Sequence, residues 1–384
     1  TIHAGCRIFG RETCIGDGAQ IGSEAPATIE NCQVGPGASL KGGFFSHAVF
    51  LKGASCGSCA HVRNGSILEE KASIAHTVGL KQTILFPFVT LGSLINFCDC
   101  LMAGGTDPKN HSEVGSSYIH FNYTPQQDKA TASLIGDVPQ GVMLDQPPIF
   151  LGGQGGLVGP CRLAYGTTIA AGTICRKDEL RRSRLIFGGS AKAGNISYTP
   201  GAYSNAKRIL ANNLFYIGNL LALGQWYQHV RSRFISQAHP APLHEGLTTR
   251  LEEAVSERIK RLSGFLDNLE NPGRAEEANG SGDGGGRPLV RHSRDLLLAE
   301  RKSAILEVLH RCREPGRIRG QERVPFLRSL DAAIAEHGKS YLDVIKSLSK
   351  ADKARGTRWL QSIVDEVVGG VLELAPEFHM EKGS

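Results

Sequence analysis

The 384-residue sequence has no run of about 18 uncharged apolar residues, so it offers no membrane-spanning helix. Its opening residues, Thr1 to Phe9, lack the charged-then-apolar pattern of a secretory signal, which argues against export. A large excess of charge of one sign is missing too, with 43 Lys and Arg against 37 Asp and Glu. The formal balance is +6, short of the basic footprint of a nucleic-acid-binding chain, and it suits a soluble protein handling small anionic ligands. The glycine-rich runs GGQGG and GDGGG lack the Lys-Ser/Thr pair of a P-loop, and neither opens a helix after a strand. A disulfide framework is not suggested either. Most of the ten cysteines, Cys14, Cys32 and Cys175 among them, fill small-residue slots, where a thiol serves as a small hydrophobe. In a long chain without a signal they read as cytosolic thiols, and the expected location is the cytoplasm. The chain opens on Thr1 in mid-repeat, as a fragment of a longer protein with an upstream domain would.

What is present is a repeat. IGDGAQ, IGSEAP, VGPGAS, LKGASC, ILEEKAS, LGSLIN and TIAAGT share one format: an aliphatic, then a glycine or polar residue, then a small residue. The aliphatics point inward and stack, and small residues let successive turns of backbone approach at the corners. Each turn buries little by itself, so neighbours stabilise one another as in any solenoid. The format predicts a hexapeptide-repeat solenoid over residues 1–180. Two stretches break it: GGTDPKNHSEVGSS (Gly104 to Ser117), expected to leave one face as a loop, and PPIFLGGQGGLVGP (Pro147 to Pro160). A junction, residues 181–204, overlaps the basic cluster ELRRSR, read as a solvated charged surface.

From Asn205 the period becomes helical. Leu247, Leu251, Val255, Ile259, Leu262, Leu266 and Leu269 form one stripe. Thr249 and Glu252 fit a capping box near its start. Further helical patterns cover residues 295–312, 326–337, 341–348 and 357–374. Residues 205–384 are therefore expected to be an α-helical domain, interrupted by a flexible linker at about 271–290 containing GSGDGGG.

The hexapeptide format resembles the left-handed parallel β-helix of acyltransferases and sugar nucleotidyltransferases. HFNYTPQQDK (His120 to Lys129) resembles the Asn-Tyr stretch in the acetyltransferase half of the bifunctional N-acetylglucosamine-1-phosphate uridyltransferase family, and TTIAAGTICRKD (Thr167 to Asp178) its closing repeat. The resemblance implies a left-handed parallel β-helix followed here by the helical domain, with acetyl-coenzyme A or another acyl-coenzyme A as co-substrate. It also implies a sugar phosphate or nucleotide sugar as acceptor, no metal, and a homotrimer with sites between neighbours. His76 is the best match for the family's general base, a role that suits a near-neutral imidazole. Asn96, Asn122 and Tyr123 match sugar-contacting positions. Lys129, Gly153 and Ala171 match coenzyme contacts, and Lys71 and Arg63 are the candidates for the sugar phosphate.

Departures are visible as well. The slot three residues after His76, a tyrosine in the family, is Gly79; the serine expected near the coenzyme falls at Gly153; and one extra turn lies between Asn96 and Asn122. The glycine-rich uridyltransferase loop is absent from these residues. His111, in the insertion, and His120, beside the Asn-Tyr pair, compete with His76 for the catalytic role. Cys56 and Cys59 with Cys98 and Cys100 raise a zinc site at unusual spacing, and His61, His76 and His111 a three-histidine centre that no spacing supports. The expectation is an acyltransferase-like protein. The alternative is a non-catalytic module that binds a nucleotide sugar or mediates assembly, related to the sugar nucleotidyltransferases. Neither nucleic acid nor membrane is an expected partner.

Overall fold

The computed structural model describes residues 1–123, 128–188, 203, 205–270, 293–314 and 320–378. Short parallel strands wind through residues 7–186 as a β-solenoid with three faces. Nine strands form the first face. The second and third belong to one fifteen-stranded sheet, because Gly79–Leu85 and Asn96–Met102 each run from one face onto the next.

Every face has an inward column set by strand register. On the first face it runs Ile21, Leu40, Cys56, Ile74, Leu91, Val114, Leu151, Ile169 and Ile186. On the third it runs Ile15, Val34, Phe50, Leu68, Leu85, Met102, Ile135 and Leu163. They include Ile15, Ile21, Val34, Leu91 and Ile169 of the repeat, whereas Ile67 of ILEEKAS falls in the outward column of the third face; almost all the inward residues are fully buried. The stretch from Pro147 to Pro160 is not an irregular patch: Phe150–Leu151 and Gly156–Val158 are ordinary solenoid strands in register with Thr168–Ile169 and Ile174–Cys175. The last strand, Leu185–Ile186, lies beyond the expected boundary at 180. The insertion after Gly104 folds into a small antiparallel hairpin, Gly105–Asp107 with Asn110–His111.

The helices are α1 (Val138–Gly141), α2 (Ala206–His229), α3 (Ala241–Glu270), α4 (Ser293–Glu300), α5 (Lys302–Cys312), α6 (Arg323–His337), α7 (Tyr341–Ser347) and α8 (Lys350–Leu372). The leucine stripe forms the buried side of α3. That helix starts at Ala241, so Thr249 lies well inside it and the expected capping box does not exist. Helix α8 likewise begins before Thr357, where Ser349 accepts from the Asp352 N–H and caps it. The expected linker at 271–290 lies outside the described residues.

Helices α2 and α3 lie on the third face, against strands that carry Gln33, Val49, Ile67 and Leu134. The reason is in the outward column of that face. Val49, Ile67, Ile84, Leu101 and Leu134 follow one another through the register and are all buried. Left bare they would form one apolar strip, each side chain forgoing about 1.5–3 kcal/mol of burial. Helix α3 comes so close that a Cβ on Gly246 would sit 2.5 Å from the Gln33 amide oxygen. Buried polar groups then fix the register between layers. Asn213 donates to the Ala130 carbonyl at 2.8 Å, and the Asn219 side-chain oxygen accepts from the Val138 N–H at 2.7 Å. Tyr227 donates to Glu69 at 2.6 Å, and Arg231 pairs with Glu70 at 2.5 Å.

Arg258 of α3 pairs with Asp99 of the solenoid at 2.7 Å, both almost fully buried. Removing one partner of such a pair strands the other charge. Arg258→Met is therefore expected to cost about 3–5 kcal/mol in chemical denaturation. Adding Asp99→Asn should recover much of that loss; a double variant as unstable as the single one would refute the pairing as the source.

Candidate functional site

The corner between the first and second faces is built from one repeated turn. Cys59, Thr77, Leu94, Ser117, Gln154 and Gly172 all adopt positive φ there, between 53° and 73°. For the non-glycine residues this is a costly conformation, held by a ladder along the solenoid axis. Thr77 N–H donates to Ser58 O, Leu94 to His76, Ser117 to Ser93, Gln154 to Ser116 and Gly172 to Gly153, at 2.8–3.2 Å. His76, Gly153 and Ala171 thus share one edge. At about 4.8 Å per turn, Gly153 lies roughly 14 Å and Ala171 roughly 19 Å from His76 along the axis. The residues between are small, Ser93 and Ser116, and the space outside Gly172 is open. His76 is exposed.

Gly153 departs from the expected serine for a steric reason: a Cβ there would lie 2.7 Å from the Ser116 carbonyl oxygen. Gly79 departs from the expected tyrosine without such a constraint. Its outward neighbours in register are His61 and Asn96, and a Cβ would meet the Asn96 amide oxygen at an ordinary 3.6 Å. The glycine leaves a notch three residues after His76, bounded by exposed His61, which stacks on Phe44 at 5.0 Å, and exposed Asn96.

The remaining candidates stand elsewhere. Asn122, Tyr123 and Lys129 belong to the corner between the second and third faces. Asn122 donates to Asp99 at 2.9 Å, the carboxylate that Arg258 also grips, so its amide serves the contact with α3. Tyr123 is 56% exposed and Lys129 is exposed. Lys71 is exposed at the third corner, and the hairpin of His111 leaves from that same corner, with His111 Nδ1 2.9 Å from the Pro108 carbonyl oxygen. A single chain therefore brings together His76, Asn96, Gly153 and Ala171, and not the whole set.

His120 occupies a core position. It follows Phe97 on the second face, pairs in register with Leu157, and is 2% exposed. Nδ1 lies 2.6 Å from the Cys98 carbonyl oxygen and Nε2 2.7 Å from the Ser133 hydroxyl. With both nitrogens engaged and no opening to solvent, it serves as a buried polar tie between turns. Cys56 and Cys100 are likewise buried, whereas Cys59 sits exposed at the first corner. Among the described residues no three His, Cys, Asp or Glu side chains converge as a metal cluster would require.

An unexpected feature is a groove of about 810 Å³ between the solenoid and α3, lined by Phe44, His47, Arg63, Gln82, Glu253 and Lys260 among others. Arg63 therefore lies beneath α3, where it donates to the Cys98 sulfur at 3.7 Å. Only helix docking creates this groove, and no local spacing in the sequence announces it.

The chain is similar to the bifunctional protein GlmU of Pelobacter propionicus, 30% identical over 178 residues, 46% of this chain and 34% of that one. Against GlmU of Nitratidesulfovibrio vulgaris strain DP4 the identity is 27% over 197 residues, covering 49% and 38%. Against that of Acinetobacter baumannii strain AYE it is 27% over 185 residues, covering 48% and 36%. The solenoid is a hexapeptide-repeat domain like that of the GlmU acetyltransferase. The chain spans little more than a third of the length of these GlmU proteins. No protein-family model matches the chain. Among the described residues no helix is long and apolar enough to cross a membrane.

Burial pushes the His120 imidazole down from its ordinary 6.5 to about 4. Between those values the unfolded chain takes up a proton that the folded one refuses. Its contribution is therefore complete above about pH 6.5 and lost as the pH falls toward 4. Wild type should lose on the order of 3 kcal/mol relative to His120→Gln over that interval. The check is the difference in unfolding free energy across pH 4–8; parallel profiles would sink this account.

Proposed function

We propose that this protein is a hexapeptide-repeat acyltransferase-like protein that moves an acyl group from acyl-coenzyme A to a sugar phosphate or nucleotide sugar. The observation that carries the reading is the shared edge: His76 at one end, Gly153 and Ala171 at the other, with Ser93 and Ser116 in register between them. An extended coenzyme arm suits such an edge, where backbone groups of successive turns line up and exposed Leu94 offers an apolar contact. The coenzyme supplies an activated thioester. His76 takes the proton from the acceptor amine or hydroxyl as it attacks the thioester carbonyl; the C–S bond then breaks, and the departing coenzyme thiolate takes up that proton, while Asn96, across the Gly79 notch, offers an amide to the acceptor's hydroxyls. Tyr123, Lys129 and Lys71 lie on other corners, so their part requires a neighbouring copy. A homotrimer fits this need, since among the described residues α2 and α3 make their main strand contacts on the third face, away from the His76 edge. A cytoplasmic setting agrees with buried cysteines such as Cys32, Cys56 and Cys100 that stand as thiols in the solenoid core.

A second reading is supported by Gly79, which stands where the family has a tyrosine, and by Arg63, which is occupied beneath α3. On that reading the edge binds a nucleotide sugar without turnover. The two separate cleanly in experiment. His76→Ala is expected to leave thermal stability within about 0.5 kcal/mol, as exposed substitutions do. It should lower acetyl transfer to hexosamine phosphates about 10²- to 10⁴-fold, the loss typical of a missing general base. A thermal-shift screen with acetyl-coenzyme A, UDP-N-acetylglucosamine and hexosamine phosphates names the ligand class. Sugar-nucleotide binding with no transfer by the wild type would favour the second reading, and undiminished transfer in His76→Ala would discard the first.

A further inference from the structure

Among the described residues, four arginines are at least nine-tenths buried: Arg162, Arg231, Arg250 and Arg258. Three have acids at ion-pair distance: Glu70 for Arg231, Glu12 for Arg250 and Asp99 for Arg258. Arg162 has none among the described residues. It closes the outward column of the third face, paired in register with Leu134. Its guanidinium carbon lies 4.0 Å from the centre of the Phe215 ring of α2, and its Nε is buried without a hydrogen-bond partner.

The neighbouring acids are engaged with other groups. Asp178 accepts from the Arg162 backbone N–H and from Asn212, both at 3.0 Å, and lies 3.5 Å from Arg208. Asp137 accepts from the backbone and side-chain amides of Gln140 at 2.9 and 2.6 Å. A desolvated cation in this state is expensive unless a counter-charge arrives.

Arg162 faces a cavity of about 300 Å³ between the last solenoid turns and helices α2 and α8. Leu134, Leu163, Phe215 and Val364 supply apolar walls, and Arg182 brings a second guanidinium to the same space, held by Gln140 at 2.9 Å. The volume is at the low end for small-molecule sites. It admits an oxyanion on a few carbon atoms and is too small for a nucleotide sugar. Guanidinium groups match carboxylate and phosphate oxygens two at a time.

We propose that this cavity binds a small organic anion, its carboxylate or phosphate seated on Arg162 with Arg182 beside it. The site is separate from the His76 edge, on a different face of the solenoid and beneath the helices. Occupancy there ties the last turns to α2 and α8, so the anion adds to the cohesion of the two layers.

The test uses the full chain, with thermal unfolding followed against malonate and inorganic phosphate, and chloride at matched ionic strength as control. Wild type is expected to gain a saturable rise in midpoint with malonate, phosphate or both, and none with chloride. A response to malonate alone assigns a carboxylate ligand, and one to phosphate alone a phosphate ester. Arg162→Met should weaken the apparent affinity at least tenfold. Its midpoint without anion should equal or exceed that of wild type, because an uncompensated charge has been removed. Arg162→Lys keeps the charge and loses the two-pronged geometry, and should also weaken binding at least tenfold. His76→Ala should respond as wild type does, which separates this site from the acyl-transfer reading. A wild-type midpoint indifferent to both anions, or one that responds equally in Arg162→Met, would overturn the proposal.

Discussion

A parallel stack of turns admits one inward residue per strand, and on one face of this solenoid the residue beside it is apolar as well. Val49 beside Phe50, Ile67 beside Leu68, Ile84 beside Leu85, Leu101 beside Met102 and Leu134 beside Ile135 all obey this doubling. The other two faces keep polar or small residues outside for most of their length, such as Ser39, Ser55, Ser73 and Thr90 on the first. A doubly apolar face cannot stay wet, and this is what brings α2 and α3 onto the solenoid. Everything else about the second layer follows from that contact: the buried arginines that lock it, the groove beside α3, and the cavity at Arg162.

The same contact decides which part of the solenoid is left to meet other molecules. One face is closed by the chain itself. The first corner, with its ladder of carbonyls and its exposed imidazole, stands away from the third face, where the described helices make their main contacts with strands. Asn122 is drawn the other way, into the network of Asp99 and Arg258. A position that matches a sugar contact by sequence thus serves, in this chain, the joint between layers.

The inward columns were legible because the repeat is carried by neighbours in sequence: Ile15-Gly16, Ile21-Gly22 and Val34-Gly35 declare their own spacing. The edge shared by His76, Gly153 and Ala171 was partly legible, since residues six to a segment fall on corners in a predictable order. His120 was not, because nothing local distinguishes an imidazole aimed at the core from one aimed at solvent; its role depends on Cys98 and Ser133, 22 and 13 positions away. The start of α3 is hidden in the sequence for a related reason. Thr249 and Glu252 have capping-box spacing, but the helix begins earlier, at Ala241, with Pro242 in its first turn, where proline's fixed φ fits. The doubling of apolar residues was present in the sequence all along, and it takes the register of several turns to see that the doubled positions align.

Solenoids are ordinarily quasi-one-dimensional: each turn leans on the next, and an end can peel away while the middle holds. Helix α3, at 30 residues, is about 45 Å long, enough to run past many turns. It does so from Glu12, gripped by Arg250, to Lys129, whose carbonyl accepts from Arg258. Such a helix works as a splint. Turns that could melt one by one are obliged to open together or not at all, and the first corner, far from the splint but part of the same turns, inherits that rigidity.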